Sequence, residues 1–242
     1  MHTLIITSTV YINSGLTVLT DPQERINQYI DSILFYLNSK SIKDIIVCDN
    51  SNFDYSKCIG SEVIPDSKSI EFLCFLGDKD QISTKGKGYG EGEIVAYALK
   101  NSKLIQKGTK SFCKVTGRIL LMNIDSILKS VNEDTNYFQR IGMSPFNHLE
   151  KVDTKFYHCT IDTFLTCLVN ANKMVNDYEG YYLEHVYFHQ LKTKKVFYRT
   201  FKILPYFIGV SGSTGISYTI KKDYKWYFLK CTYYIVNALN LY

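Results

Sequence analysis

The chain has 242 residues, 45% of them apolar and 21% charged, enough apolar material to bury a core and too ordered a composition for a long disordered stretch. Its net charge of +5 comes without a clustered basic stripe before the last forty residues, which argues against a dedicated nucleic-acid binder and for a phosphate-bearing ligand or an anionic surface. Seven cysteines without a CxxC pair match neither a zinc framework nor a secreted disulfide scaffold, so a reducing cytoplasm is expected. The start, Met1-His2-Thr3 followed by an apolar run, lacks the features of a secretion signal. No 18-residue apolar stretch predicts a membrane span. Twenty Tyr and fourteen Phe suit sugar-binding clefts and wet interfaces, although AT-rich codon usage would produce the same excess.

The β-branched run over residues 4–10 predicts a buried strand. Asp21-Pro22 supplies an N-cap and a first-turn proline, and Ile26, Tyr29, Ile30, Ile33, Leu34 and Leu37 recur at helical spacing. Strands follow over 45–48, ending in Asp49-Asn50, and over 70–76. Apolar strands separated by a helix predict a mostly parallel α/β sheet covered on both faces.

Residues 85–93, with Lys85, Gly86, Lys87 and three further glycines, read as a glycine-rich loop leading into a helix with Ile94, Ala98, Leu99 and Leu104. Free amides and a positive helix end would suit a phosphate there, yet neither the Walker nor the dinucleotide fingerprint is present. A strand over 111–118 carries Lys114, Thr116, Gly117 and Arg118. Residues 124–131 read as a helix and 155–161 as a strand, with Asp153 just before it as an acceptor-hydroxyl or metal ligand, or a turn former. Asp162 is expected to cap a helix running through Phe164, Leu165, Leu168 and Met174. Residues 181–191 form another helix, where Glu184 and then His185 are the choices for a proton-accepting base. A second loop over 209–215, with Ser211, Gly212, Ser213, Thr214 and Gly215, is expected to close over a cleft and bind phosphate or sugar hydroxyls. The tail from Lys221 mixes cations with aromatics, as a basic amphipathic helix on an anionic membrane does.

In its first 120 residues the chain resembles the GT-A glycosyltransferases. Thr7-Ser8-Thr9 ends the first strand, Asp49-Asn50 the second, and Lys85-Gly86 leads to a helix before the strand that in the family ends in Asp-x-Asp. Here that strand reads Lys-Val-Thr-Gly-Arg over 114–118, similar to a segment of small glycosyltransferases from bacterial capsule and lipopolysaccharide loci. The resemblance implies a single GT-A-like domain over 1–242. Within it, 1–120 is a nucleotide-sugar half, 121–220 an acceptor and catalytic half, and 221–242 a basic aromatic helix. It also implies a nucleotide-sugar donor and a glycan or lipid-linked acceptor, with no certain cofactor and no metal ligands assigned. Lys114 and Arg118 would supply the charge a divalent ion supplies elsewhere. A nucleotidyl or phosphoryl transferase binding magnesium through Asp49 and Asp153, and an inactive carbohydrate-binding relative, are the alternatives.

Overall fold

In the computed structural model, residues 1–12, 15–140, 150–210, 215, 217–218 and 224–238 are described. A seven-stranded sheet forms the centre, in the order β3-β2-β1-β4-β7-β6-β8. Its strands are β1 (His2–Ser8), β2 (Ile42–Asp49), β3 (Ser69–Cys74), β4 (Ser111–Thr116), β6 (Asn136–Arg140), β7 (Val152–Thr160) and β8 (Tyr198–Arg199). The pairs among β3, β2, β1 and β4 are parallel, as is β6 with β8, whereas β7 runs antiparallel to both neighbours. A small second ribbon pairs β5 (Ile119–Leu121) with β9 (Phe207–Gly209).

Alternation along the strands sends side chains to two cores. Ile5, Ile46 and Phe112 pack under α3 (Lys87–Asn101) and α7 (Leu183–Thr193). Leu4, Ile6, Val47, Cys113 and Val115 pack under α1 (Pro22–Leu37) and α5 (Ile124–Leu128). The predicted start of α1 is found, with Asp21 Oδ1 accepting from the Glu24 amide at 2.7 Å and Pro22 in the first turn. The short helices α2 (Lys79–Lys85), α4 (Lys103–Gln106) and α6 (Ile161–Thr163) complete the layers, and α8 (Tyr224–Ala238) follows near the end.

Two expected elements differ. Residues 87–93 are helix, not loop, because the glycines admit neighbours that a side chain would exclude. A Cβ at Gly92 would stand 2.5 Å from Asn172 Cβ, and one at Gly90 2.9 Å from Asn50 Nδ2. The helix expected from Asp162 breaks up. Thr160 is its cap, accepting from the Thr163 amide, and the chain then passes through a π turn at 164–168 and a 3-10 turn at 171–174. Asp153 belongs to β7, which begins three residues before the expected strand start.

Candidate active site

The chain leaves β1 for β2 on one side of the sheet and returns to β4 on the other, so the strand order reverses between β1 and β4. In open α/β sheets, ligands bind at the carboxyl ends of the strands at such a point. A cavity of about 170 Å³ opens there, walled by Thr7, Ser8 and Thr9 after β1 and by Thr116 and Arg118 after β4. Because β7 is antiparallel, its beginning lies at the same edge and brings Thr154 and Lys155 to the cavity. Arg25 and Tyr29 of α1, Lys87 and Glu91 of α3, Glu184 of α7, and Tyr218 close it.

The wall between β1 and β2 is held by Asp49, which is fully buried. Its carboxylate accepts five hydrogen bonds: from Ser8 Oγ at 2.7 Å, the Val10 amide at 3.1 Å, the Ser51 amide and hydroxyl at 2.7 and 2.6 Å, and the Phe53 amide at 3.1 Å. A carboxylate offers about four lone-pair positions, so Asp49 is saturated and staples two loops instead of reaching a ligand. Asn50 does line the cavity, accepting from Thr9 Oγ1 at 2.6 Å.

Arg25, absent from the sequence reading, anchors the same wall. Its guanidinium donates to the Thr9 carbonyl at 2.9 and 2.5 Å and to the Leu19 carbonyl at 3.0 Å. Burial lowers its pKa, with opposing help from Tyr29, and it is 3% exposed. An arginine four residues before Tyr29 on the buried stripe of α1 was a readable sign, because such a position is otherwise apolar. Gly117 lets the strand end come close: a Cβ there would lie 2.5 Å from the Thr7 carbonyl oxygen.

The expected pair of phosphate cations separates. Lys114 is buried under α3, where Nζ forms an ion pair with Glu91 Oε1 and donates to the Thr154 carbonyl at 2.7 Å and to Thr116 Oγ1 at 3.0 Å. Its charge is spent inside the protein. Arg118 does face the cavity, donating to Gln28 Oε1 at 3.1 Å beside the Tyr29 ring. Lys85 and Gly86 stand apart from the cavity. Lys85 Nζ donates to the Lys173 carbonyl at 2.6 Å, and Gly86 takes φ +98° at the helix junction. The positive start of α3 is already occupied, for the Gly88 amide donates to Asp177 Oδ2 at 2.9 Å.

Glu184 stands at the first turn of α7 and faces the cavity, accepting from Thr154 Oγ1 at 3.0 Å. Burial raises its pKa, reinforced by the charges of Glu91 and Asp153 and opposed by two hydrogen bonds. Asp153 is engaged by Lys155, with Nζ–Oδ2 at 3.1 Å and the Lys155 amide on Oδ1 at 2.8 Å. Lys155 therefore stays charged. Burial lowers its pKa, but the Asp153 charge and hydrogen bond, Tyr218 and Glu184 together raise it above the ordinary value. Its ammonium also lies over the Tyr218 ring at 5.0 Å. His185 turns back to cap its own helix, with Nδ1 accepting from the Tyr182 amide at 3.1 Å. Ser211, Gly212, Ser213 and Thr214 lie outside the described residues, and Gly215 has φ +66°, where an added Cβ would lie 3.7 Å from Val18 Cγ1.

A divalent ion of the Asp-x-Asp type does not suit this donor set. The end of β4 offers Lys114, Thr116 and Arg118 where two carboxylates would be needed. Among the described residues no three potential ligands converge at the cleft.

The class defined by these features is a doubly wound α/β sheet of the GT-A kind, with its cavity at the β1–β4 reversal. The chain superposes on the glycosyltransferase GlyE of Streptococcus pneumoniae TIGR4 with a TM-score of 0.53 and 7% identity, over 82% of this chain and 44% of that one. It thus spans less than half of that protein, and at such identity the likeness speaks for the fold alone. HddC from Yersinia pseudotuberculosis aligns over 97% of this chain and all of its own length at 13% identity, with a TM-score of 0.40, too low to carry weight. No protein-family profile matches the sequence, and no curated protein matches it either.

Proposed function

We propose that the chain transfers a sugar from a nucleotide-activated donor to an acceptor hydroxyl. The observation that carries this reading is the convergence of Glu184, Arg118 and Lys155 on one cavity at the strand reversal. Glu184 takes the proton of the acceptor hydroxyl as that oxygen bonds to the sugar's anomeric carbon. The bond to the nucleotide diphosphate breaks, and Arg118, with the Asp153-paired Lys155 beside it, offsets the charge that builds on the leaving group. Arg118 suits this task because its planar fork donates two parallel hydrogen bonds to phosphate. A carboxyl whose pKa is raised by burial is a stronger base once ionised, which fits it for accepting a hydroxyl proton.

The test is a panel of UDP-, GDP- and CMP-sugars assayed by thermal shift and by release of the nucleotide. A donor should raise the melting temperature of wild type and of Glu184→Gln alike, with turnover lost only in the variant. If none of the panel shifts the melting temperature, donor binding is refuted. A nucleotidyl transferase would release pyrophosphate in place of a nucleoside diphosphate, and a phosphoryl transferase would consume a nucleoside triphosphate in place of a nucleotide-sugar. Either would need metal ligands other than the saturated Asp49.

The proposed acceptor is a glycan or a lipid-linked glycan of surface polysaccharide synthesis, met at an anionic cytoplasmic membrane face. Support comes from α8, where Tyr227, Phe228, Tyr234 and Ile235 are exposed at spacings that share one helical face. Among the described residues no helix is long and apolar enough to cross a membrane. Cosedimentation with anionic vesicles, lost in Phe228→Ser, tests this placement.

A further inference from the structure

At the opposite end of the sheet from the cavity, three residues far apart in sequence meet on the α1 and α5 face. Cys113 of β4 and His158 of β7 are direct cross-strand partners. Leu4 pairs with Cys113 across β1 and β4, and His2, two residues earlier, lies on the same face one step nearer the sheet's end. One ring nitrogen of each histidine and the Cys113 sulfur all lie within 4.8 Å of one another. Cys113 and His158 are fully buried, and His2 is partly so.

The hydrogen bonds fix which nitrogens keep a lone pair. A carbonyl oxygen only accepts, so His2 Nε2 must donate to the Leu128 carbonyl at 3.2 Å, and His158 Nδ1 to the Thr135 carbonyl at 2.9 Å. In the neutral rings, His2 Nδ1 and His158 Nε2 are then left with lone pairs. The latter accepts from Ser111 Oγ at 3.1 Å. Metal-binding histidines are held in this way, one N–H on a backbone carbonyl and the other nitrogen aimed at the ion. Two imidazoles and a thiolate are the ligand types that favour zinc and its neighbours over magnesium or calcium. An entry route exists: a hollow of about 450 Å³, lined by His2, Ser111 and Glu133, opens beside the cluster.

We propose that His2, Cys113 and His158 form a site for a zinc-type transition metal, with Ser111 Oγ or a water completing four-coordination. The bonds formed are two to nitrogen and one to sulfur, and the Cys113 thiol proton is released on binding. Metal–ligand distances of about 2.0–2.3 Å require the side chains to draw together slightly from their present spacing. Such a clamp ties β1, β4 and β7 at the end remote from the cavity, so its role is to hold the sheet, separately from the transferase chemistry.

The experiment uses the full chain, free of any affinity tag and stripped with chelator, in a Cys58→Ser/Cys231→Ser background that removes the exposed thiols. Cobalt(II) is added and followed by its thiolate charge-transfer and d–d bands, and zinc is followed by metal content and melting temperature. Expected are one metal per chain, a thiolate band, tetrahedral d–d absorption, and a higher melting temperature with zinc. In His2→Gln and in Cys113→Ala, stoichiometry should fall close to zero and the zinc-induced shift should vanish. Because His2 is only partly buried, at the start of β1, its variant remains informative should Cys113→Ala fail to fold. A cobalt spectrum without a thiolate band, or unchanged metal content in His2→Gln, overturns the proposal and leaves a buried histidine pair of purely structural use.

Discussion

Replacing Glu91 by Gln removes the one negative partner of Lys114 among the described residues while keeping the shape of the contact. The Lys114 side chain is 1% exposed and that of Glu91 is 23% exposed, so the two halves of the pair are unequal. With the carboxylate gone, the ammonium stays buried among neutral groups, the Thr154 carbonyl and the Thr116 hydroxyl beside the Tyr157 ring. Breaking a buried pair from one side costs about 3–5 kcal/mol, and the partial exposure of Glu91 places this case near 3 kcal/mol. Lys114→Met instead leaves a carboxylate that reaches water at the cavity, at about 1–2 kcal/mol. The double variant should recover part of the loss, because neither charge remains stranded. Chemical denaturation with linear extrapolation measures all three, and each kcal/mol should move the melting temperature by roughly 2–4 °C at this chain length. If Glu91→Gln costs less than Lys114→Met, or if the single effects simply add, Lys114 is not a desolvated cation. The reason for removing it from the donor site then fails.

Arg118→Ala should weaken donor or nucleoside diphosphate binding by at least about tenfold, as loss of a charge-assisted hydrogen bond implies, with stability changed by less than about 1 kcal/mol; calorimetric titration and denaturation together decide. Turnover should fall as pH drops through the raised pKa of Glu184, because the base must be ionised, and the limb should lie above the ordinary carboxylate range. The same shift makes the folded state bind more protons than the unfolded one between the two pKa values. Stability from this group is therefore lost as pH rises through that window, and Glu184→Gln should flatten the dependence in denaturation curves. Gly92→Ala should destabilise by about 1–3 kcal/mol despite the better helix former, since the new methyl meets Asn172 Cβ at 2.5 Å.

Strands β1 to β4 and β7 were legible from their apolar runs, and the first helix carries its own cap. By contrast, β6 went unforeseen because Asn136, Gln139 and Arg140 break its apolar run, and β8 because two residues carry no pattern. Asp21-Pro22 and the stripe through Tyr29 and Ile33 are local signals, and locally driven elements form where the sequence says. Residues 87–93 were misread because glycine content signals a loop only when nothing distant needs the space. Gly88, Gly90 and Gly92 are small for the sake of Asp177, Asn50 and Asn172, and none of these contacts is visible along the chain. At the site, Thr7, Thr9, Asn50, Thr116, Arg118 and Glu184 meet as positions at strand and helix ends must. What pattern alone could not supply was which charges cancel, since Lys114 with Glu91 and Lys155 with Asp153 are set by the packing of α3 and the pairing along β7.

That cancellation explains how a cavity rich in cations and acids keeps a usable charge. Four of the ionisable groups near it are consumed in two ion pairs, and Asp49 and Arg25 are consumed by backbone loops. Among the described residues Arg118 meets a neutral Gln28 and an aromatic face and forms no ion pair, which leaves its charge for a ligand. Glu184, held by a threonine hydroxyl and pressed by neighbouring acids, is the carboxylate most ready to take a proton. The residues that stabilise the wall and those free to act are thus separated by how many partners each has. A chemistry placed on Asp49 or Lys114 would have to break several buried hydrogen bonds first, whereas one placed on Arg118 breaks one and one placed on Glu184 no more than two.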